Sequence, residues 1–427
     1  MSRIIYSFLL YLAVPLVLLK MYLRGRKAPA YHKRWCERFA FIKALPDNKP
    51  VIWVHSVSVG ETIASAPMVK QLMALYPNHQ FVVTTMTPTG SDRVKALYGD
   101  TVHHVYCPYD LPDVQSRFLN RIRPTLALMM ETELWPNTVA ACHKRNIPIV
   151  IANARLSEKS AKGYGKLGGL TRQMMEQITL VACQNSTDGE RFKQLGLTDK
   201  QLRITGSVKF DITVDSEIHR QANELRKRWE TGAERKRDIL IAASTHQGED
   251  EQVIAAFKQV LAKNKDALLV LVPRHPERFN QVFQLIEGNN LSAIRHSQTS
   301  ETTPETQVIL GDTMGELMKL YATADLAFVG GSLVENGGHN MLEPAALGTP
   351  VLSGPSIFNF NEISQELVSS GGMKLVQSSN ELAEQASELL ASSDLRNSMG
   401  EKGKIFVESN RGALQELLNL VQKTLKV

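Results

Sequence analysis

At 427 residues the chain exceeds what one hydrophobic core ordinarily holds, and two domains are expected. Hydrophobic residues at 43% and charged residues at 22% exclude wholesale disorder and a collagen-like repeat. The formal charge of +6 is a mild basic excess that suits acidic substrates or a membrane surface as well as nucleic acid.

The first segment, residues 4–19 (IIYSFLLYLAVPLVLL), carries no charge. It is at the short end of what spans a bilayer, and its apolar side chains favour insertion by about 3 to 6 kcal/mol. Arg24, Arg26, Lys27, Lys33, Arg34 and Arg38 follow it, against Arg3 alone in front. The positive-inside bias therefore puts the main body in the cytoplasm. A signal peptide cleaved at Ala28-Pro29-Ala30 is disfavoured, because the cationic cluster lies between the apolar run and that site. A buried core helix would need a kink at Pro15. The expectation is a membrane anchor, spanning or interfacial.

From residue 50 short apolar runs alternate with amphipathic stretches. Strands are predicted at 51–55, 80–85, 125–130, 147–152 and 179–183, with helices at 61–76, 88–98 and 135–145. Runs apolar on both faces and separated by helices imply a parallel sheet covered on both sides. The charged stretch 216–237 reads as a solvated helix and linker. Alternation restarts at Asp238, with strands at 239–243, 267–273, 308–310, 326–330 and 350–353. The predicted organisation is an anchor and basic flank (1–30), a first βα domain (31–210), a linker (211–237) and a second βα domain (238–427). The last helical stretch, 411–425, is free to return to the first domain. Cys36, Cys107, Cys142 and Cys183 form no CxxC, which argues against a zinc site or disulfide framework and for a reducing compartment.

Open α/β sheets bind ligands at strand C-termini, so candidate residues are sought there. In HSVSVGE (55–61), Gly60 frees the backbone and Glu61 opens a helix whose amides hold a carboxylate ionised. A simple helix-start acid is the duller reading, and Ser56 and Ser58 in the same loop weigh against it. In ETELWPN (131–137), Glu131 and Glu133 leave a buried strand and point the same way if that strand continues. An acid leaving a core strand costs desolvation unless it is used or paired. NARLSEKS (153–160) places Asn153 and Arg155 for an anionic ligand. Gly163, Gly165 and Gly168 spell GxGxxG without a strand directly before them, so a Rossmann cofactor fingerprint is set aside.

In the second half, the strand in LLVLVPRHPERF delivers Arg274 and His275 to its end, where a guanidinium suits a phosphate or carboxylate. A surface ion pair of Arg274 with Glu277 is the alternative. The segment 328–355, FVGGSLVENGGHNMLEPAALGTPVLSGP, is the strongest signal. Gly330-Gly331 ends a strand, and Gly337-Gly338 precedes a helix expected near His339-Asn340 that would offer N–H donors to a phosphate. Glu343, one turn on, is placed for two ribose hydroxyls. There is no GxxxxGK[ST], HExxH, GxSxG or Asp-x-Asp. Chemistry must run on carboxylates, cationic side chains and helix ends.

In this order, HSVSVGE, ETELWPN, NARLSEKS, PRHPERF and GGSLVENGGHNMLEPAALGTPV closely resemble the Kdo transferases of lipopolysaccharide synthesis, over nearly the whole chain. The resemblance implies a GT-B architecture, two Rossmann-like domains facing across a cleft behind an N-terminal anchor. It implies metal-independent, inverting transfer of 3-deoxy-D-manno-octulosonic acid (Kdo) from CMP-Kdo to a lipid A precursor. The setting would be the cytoplasmic side of the inner membrane, with no cofactor and no nucleic-acid partner. By the same resemblance the general base falls on Glu61 and a second essential acid on Glu131. Nucleotide-binding positions fall on Arg274, on Met314, Gly315 and Glu316 after Asp312, and on Asn340 and Glu343. Lys209 and Arg93 fall where the family has basic residues around the reacting sugars. From the residues themselves, Ser58 and Arg155 are added as sugar or acceptor contacts, and His275 and Gly338 as donor contacts. A GT-B enzyme using a UDP-sugar, epimerases included, and a membrane-attached nucleotide-binding scaffold without turnover are the competing readings.

Overall fold

A computed structural model describes residues 1–46, 49–230, 236–299 and 301–426. It divides into two units, Met1–Asp211 with Arg411–Val427, and Ile212–Asn410. Residues 231–235 of the expected linker lie outside the described residues.

In the first unit, β1 (Val51–His55), β2 (Gln80–Thr85), β3 (His103–Tyr106), β4 (Pro124–Met130), β5 (Ile149–Ala154), β6 (Leu180–Cys183) and β7 (Leu202–Ile204) form one parallel sheet in the order β3-β2-β1-β4-β5-β6-β7. Alternation along β1 explains why the sheet is covered twice. Val51 and Trp53 enter one apolar layer with Phe118, Met129 and Ile151, while Ile52 and Val54 enter another with Leu128 and Val150. That second layer is completed from the far end of the chain. Leu414, Leu417, Leu418 and Val421 of the helix Ala413–Leu425 pack into it. The Asp211 carboxylate accepts the N–H groups of Gly412 (2.8 Å) and Leu414 (2.7 Å), which fixes where that helix starts.

The second unit repeats the plan with β8 (Ile239–Thr245), β9 (Leu268–Pro273), β10 (Ala293–Arg295), β11 (Val308–Leu310), β12 (Leu326–Val329), β13 (Val351–Ser353) and β14 (Met373–Leu375). Its parallel order is β10-β11-β9-β8-β12-β13-β14. The helix Ser216–Trp229, expected to be solvated, is instead anchored on one side. Leu225 and Trp229 join the layer of Ile239, Ile241 and Val270, and Trp229 is fully buried. Arg226 reinforces it with an ion pair to Asp325 at 2.8 Å. The charges had hidden a stripe of Ala222, Leu225 and Trp229 at helical spacing. Trp229→Ala is expected to cost about 3 to 5 kcal/mol in denaturant unfolding, the penalty of emptying a large buried site.

The helix Arg3–Lys27 runs unbroken through Pro15. Ser7, Met21 and Gly25 are buried along one stripe, and Leu10 and Val14 between them pack on the first unit's core. The helix is long and apolar enough to cross a membrane, the most apolar 18-residue stretch within Arg3–Arg26 having a mean hydropathy of 2.1.

Candidate active site

Strand order brings distant motifs together. In each sheet the chain reverses its direction of growth beside the first strand, between β1 and β4 and between β8 and β12. Such switch points splay the connecting loops apart and open a crevice at the strands' C-terminal ends.

In the first unit that crevice receives HSVSVGE from β1 and ETELWPN from β4. Ser58 caps the helix Val59–Leu75, its Oγ accepting the Glu61 N–H at 3.2 Å and donating to Glu61 Oε1 at 2.8 Å. The Val57 N–H donates to Glu61 Oε2 at 2.8 Å. Glu61 is therefore the third residue of the helix, closing a capping box, rather than its opening residue. The dull reading and the functional one coexist, because capping holds a 9% exposed carboxylate in one orientation. Burial raises its pKa, the hydrogen bonds from Val57 and Ser58 oppose that, and the charge of Glu131 adds to it. Gly60 sits inside the first helical turn and has no positive φ, and a Cβ there would meet only Ser58 Oγ, at 3.8 Å. Backbone freedom is thus not what places a glycine there.

The strand before ETELWPN does not continue. β4 stops at Met130, and Glu131 turns into the left-handed region at φ 55°, its N–H donating to Ala152 O at 3.0 Å. The simple alternation expected for Glu131 and Glu133 therefore fails. Glu133 instead accepts the Trp135 indole N–H at 2.9 Å. Burial, then the charge of Glu61, push Glu133 up to about 7. Glu61, Glu131 and Glu133 thus form one electrostatically coupled acid group.

Arg155, Lys209 and Arg93 lie on other segments of the same unit. The Thr132 hydroxyl donates to the Arg155 carbonyl, which ties the acid loop to the end of β5. Lys209 lies in the 3-10 turn Val208–Phe210, held to the same edge where Asn153 Oδ1 accepts the Val208 N–H at 3.1 Å. Arg93 is half-buried on the helix Pro88–Tyr98 and makes no hydrogen bond to the three acids among the described residues.

In the second unit the crevice is built from the ends of β8, β9 and β12. The Arg274 N–H donates to Thr245 O at 2.9 Å, which leaves its guanidinium exposed at the sheet edge. The ion pair with Glu277 that the spacing permitted is not made among the described residues, and Arg278 pairs with Asp250 instead. His275 lies edge-on to His246, ring centroids 5.3 Å apart, and His246 Nε2 meets His339 Nε2 at 2.7 Å. Burial, then the Arg274 charge, lower His339 to about 4.

The glycine-rich segment differs from expectation in two ways. Its helix, Leu342–Ala346, starts two residues later than expected and is only five residues long. The amides of the first glycine pair are already occupied. Glu249, fully buried, accepts the N–H groups of Gly331 (2.7 Å), Ser332 (3.0 Å), Leu333 (2.9 Å) and His246 (3.1 Å). An internal carboxylate thus ties down the first glycine pair, while the phosphate was expected further on, at the helix start after Gly337-Gly338. Gly338, at φ 72°, donates to Gly331 O at 2.8 Å and folds the second glycine pair back over the first. The N–H groups of His339, Asn340 and Met341 beyond it have no internal acceptor among the described residues. Asn340 Nδ2 donates to Glu343 Oε1 at 3.1 Å. Burial raises the Glu343 pKa against the pull of Asn340 and Arg274.

The turn after β11 exposes Met314, takes a positive φ of 84° at Gly315 and ends on Glu316. Burial works to raise Glu316, but the hydrogen bond and charge of Lys319 outweigh it and lower the pKa. Sequence reasoning missed Glu249, His246 and His339 as site builders. Nothing in HQGEDE distinguishes Glu249, which takes the loop amides, from Asp250, equally buried but paired with Arg278, or from exposed Glu251.

The N-terminal half, residues 33–212, matches the family described as 3-deoxy-D-manno-octulosonic-acid transferase (kdotransferase), and residues 223–406 match glycosyl transferases group 1. A 3-deoxy-D-manno-octulosonic acid transferase of Haemophilus influenzae is 46% identical over 100% of this chain and 99% of its own. The chain belongs to the Kdo transferase family. A Bordetella pertussis member is 33% identical across 99% of both chains. A UDP-GlcNAc 2-epimerase from Neisseria meningitidis, solved with UDP-GlcNAc, superimposes with a TM-score of 0.56 over 88% of this chain and 99% of its own. At 13% identity it shares the GT-B fold and nothing finer. This Kdo transferase is accordingly a glycosyltransferase of lipopolysaccharide biosynthesis.

Proposed function

We propose that this Kdo transferase moves Kdo from CMP-Kdo to a lipid A precursor with inversion and without a metal ion. The observation that carries the reading is the convergence of Ser58, Glu61, Glu131 and Glu133 at one switch point of an established Kdo transferase. Glu61 is assigned as general base. An ordinary carboxylate is too weak to ionise an alcohol beforehand, so it accepts the proton as the new bond forms. A pKa raised by burial makes Glu61 a stronger base than a solvated carboxylate, and its capping bonds keep it aimed. Glu131 is the second essential acid, and Arg93, Arg155 and Lys209 supply positive charge toward the sugars and their carboxylate or phosphate groups.

In the second unit the cytidylate is held by Arg274, His275, the turn Met314, Gly315 and Glu316, and the segment Gly338, Asn340 and Glu343. CMP leaves with one phosphate, which carries less charge than a nucleoside diphosphate. A guanidinium and backbone amides are adequate to stabilise it as the C2–O bond breaks. The body lies on the cytoplasmic face of the inner membrane, attached through the N-terminal helix and its basic flank, where the acylated, phosphorylated acceptor is found.

Mass spectrometry of a lipid A precursor incubated with enzyme and CMP-Kdo, the donor made in place from Kdo, CTP and the activating synthetase, tests donor and acceptor together. A mass gain of Kdo units is expected, with inhibition by CMP and little by UDP. Preferred inhibition by UDP, or no Kdo on the acceptor, refutes the assignment.

A further inference from the structure

We propose that the helix Arg3–Lys27 does not cross the bilayer but lies flat in its cytoplasmic surface, docked along the first unit, with its outward face in the acyl region. The inference rests on the membrane side proposed above. Its basis is a run of contacts along the whole helix. The N-terminal ammonium of Met1 donates to Leu167 O at 3.1 Å, Tyr6 OH to Asp110 Oδ2 at 3.0 Å, and Ser7 Oγ to Asn137 Oδ1 at 3.1 Å. Tyr11 OH donates to Asp113, and Tyr109 OH meets Met21 Sδ at 2.7 Å near the other end. Some 20 residues of helix, about 30 Å, therefore follow the protein surface.

A spanning helix would need most of that length inside hydrocarbon. It would then drag Asp110, Asp113 and the Arg117 paired with Asp113 into the membrane, at about 2.5 to 3.5 kcal/mol for each charged group. Laid flat, the same helix meets no such penalty. Its outward stripe is Ile5, Phe8, Leu9, Leu12, Leu16, Leu19 and Leu23, all exposed, with Leu16 at 69%. Exposed Lys20, Arg24, Arg26 and Lys33 at the same end match anionic headgroups, which is why a lipid surface is the occupant chosen over a second copy of the chain.

The dock has a functional consequence. Asp110 also accepts the N–H groups of Asn137 (3.0 Å) and Thr138 (2.7 Å), at the start of the helix that follows Glu131 and Glu133. The helix thus holds the acid loop at the membrane surface. Removing residues 1–23 should consequently strip partners from Asp110 and Asn137 and uncover the surface under Leu10 and Val14, not merely reduce recruitment.

The test places a cysteine at the helix start in the full chain, Arg3→Cys, and treats cells with opened outer membranes with a membrane-impermeant maleimide. Native Cys36 is exposed and reports the body, while the other three cysteines are buried. The expected result is that neither the introduced thiol nor Cys36 is labelled until the inner membrane is opened. Labelling of the introduced thiol with Cys36 protected overturns the flat helix and leaves the cytoplasmic body standing. Labelling of Cys36 from outside overturns the membrane side itself. In parallel, Leu12→Asp and Leu16→Asp should each weaken binding to anionic phospholipid vesicles about tenfold or more. Unchanged vesicle binding, or a dimer converted to monomer by these changes, identifies the face as a protein interface and refutes the proposal.

Discussion

Glu61→Gln should fold like the native chain and turn over about 10² to 10⁴ times more slowly, the usual worth of a positioned base. The amide preserves size and can still accept one of the two hydrogen bonds now made by Val57 N–H and the Ser58 hydroxyl, so the helix cap survives in part. What it loses is the capacity to take a proton. The loss should appear in kcat with CMP-Kdo affinity little changed, because the donor is assigned to the other unit. Full activity in the purified variant would remove Glu61 from the role of base.

The pH dependence separates this acid from its neighbour. Glu133 has a folded pKa raised to about 7 from an ordinary 4.5. Its protonation therefore favours the fold below the unfolded value, and that contribution is lost as pH rises through about 7. Glu133→Gln mimics the protonated form, so its stability relative to the native chain should increase from pH 5 to pH 8. A difference flat across that range would mean that Glu133 is ionised throughout.

The second large effect is expected at Glu249→Gln, which should destabilise the second unit by about 2 to 6 kcal/mol, since each carboxylate oxygen serves two N–H groups. The native carboxylate is fully buried and receives four backbone N–H groups. An amide nitrogen in place of one oxygen puts donor against donor and leaves at least one buried N–H unpaired, which costs about 1 to 3 kcal/mol by itself. Space allows no retreat. A Cβ on Gly330 would already meet Glu249 Oε2 at 2.8 Å and Ser244 O at 2.9 Å. Hydrogen exchange at residues 331–333 should accelerate by more than tenfold, and CMP binding should weaken with it, because Gly338 rests on Gly331 O. Protection of those amides unchanged from native would show that the carboxylate does not hold the loop.

Composition and periodicity were enough to predict two alternating βα units and to place the central strands, since those strands, even the three-residue ones, are apolar and buried on both faces. The four edge strands β3, β7, β10 and β14 escaped because three or four half-covered residues carry no periodic signal. The helix Ser216–Trp229 was visible as a helix but not as a buried one, because three anchoring residues are outnumbered by charges.

The chain itself, read residue by residue, determined the chemistry on offer, namely glutamates, guanidinium groups and glycine-rich turns at strand ends, and the family to which they belong. Only the tertiary structure decided which of them meet. Strand order sets β1 beside β4, so acids some 70 residues apart in sequence share one electrostatic neighbourhood, and a pairing across that distance leaves no local pattern to read. The same holds for Glu249, whose role depends on amides more than 80 residues away, and for the last helix, whose apolar stripe fits the first unit although the chain reaches it from the second. Local preference is written in neighbouring residues, whereas long-range contact is selected by how the whole chain buries its surface.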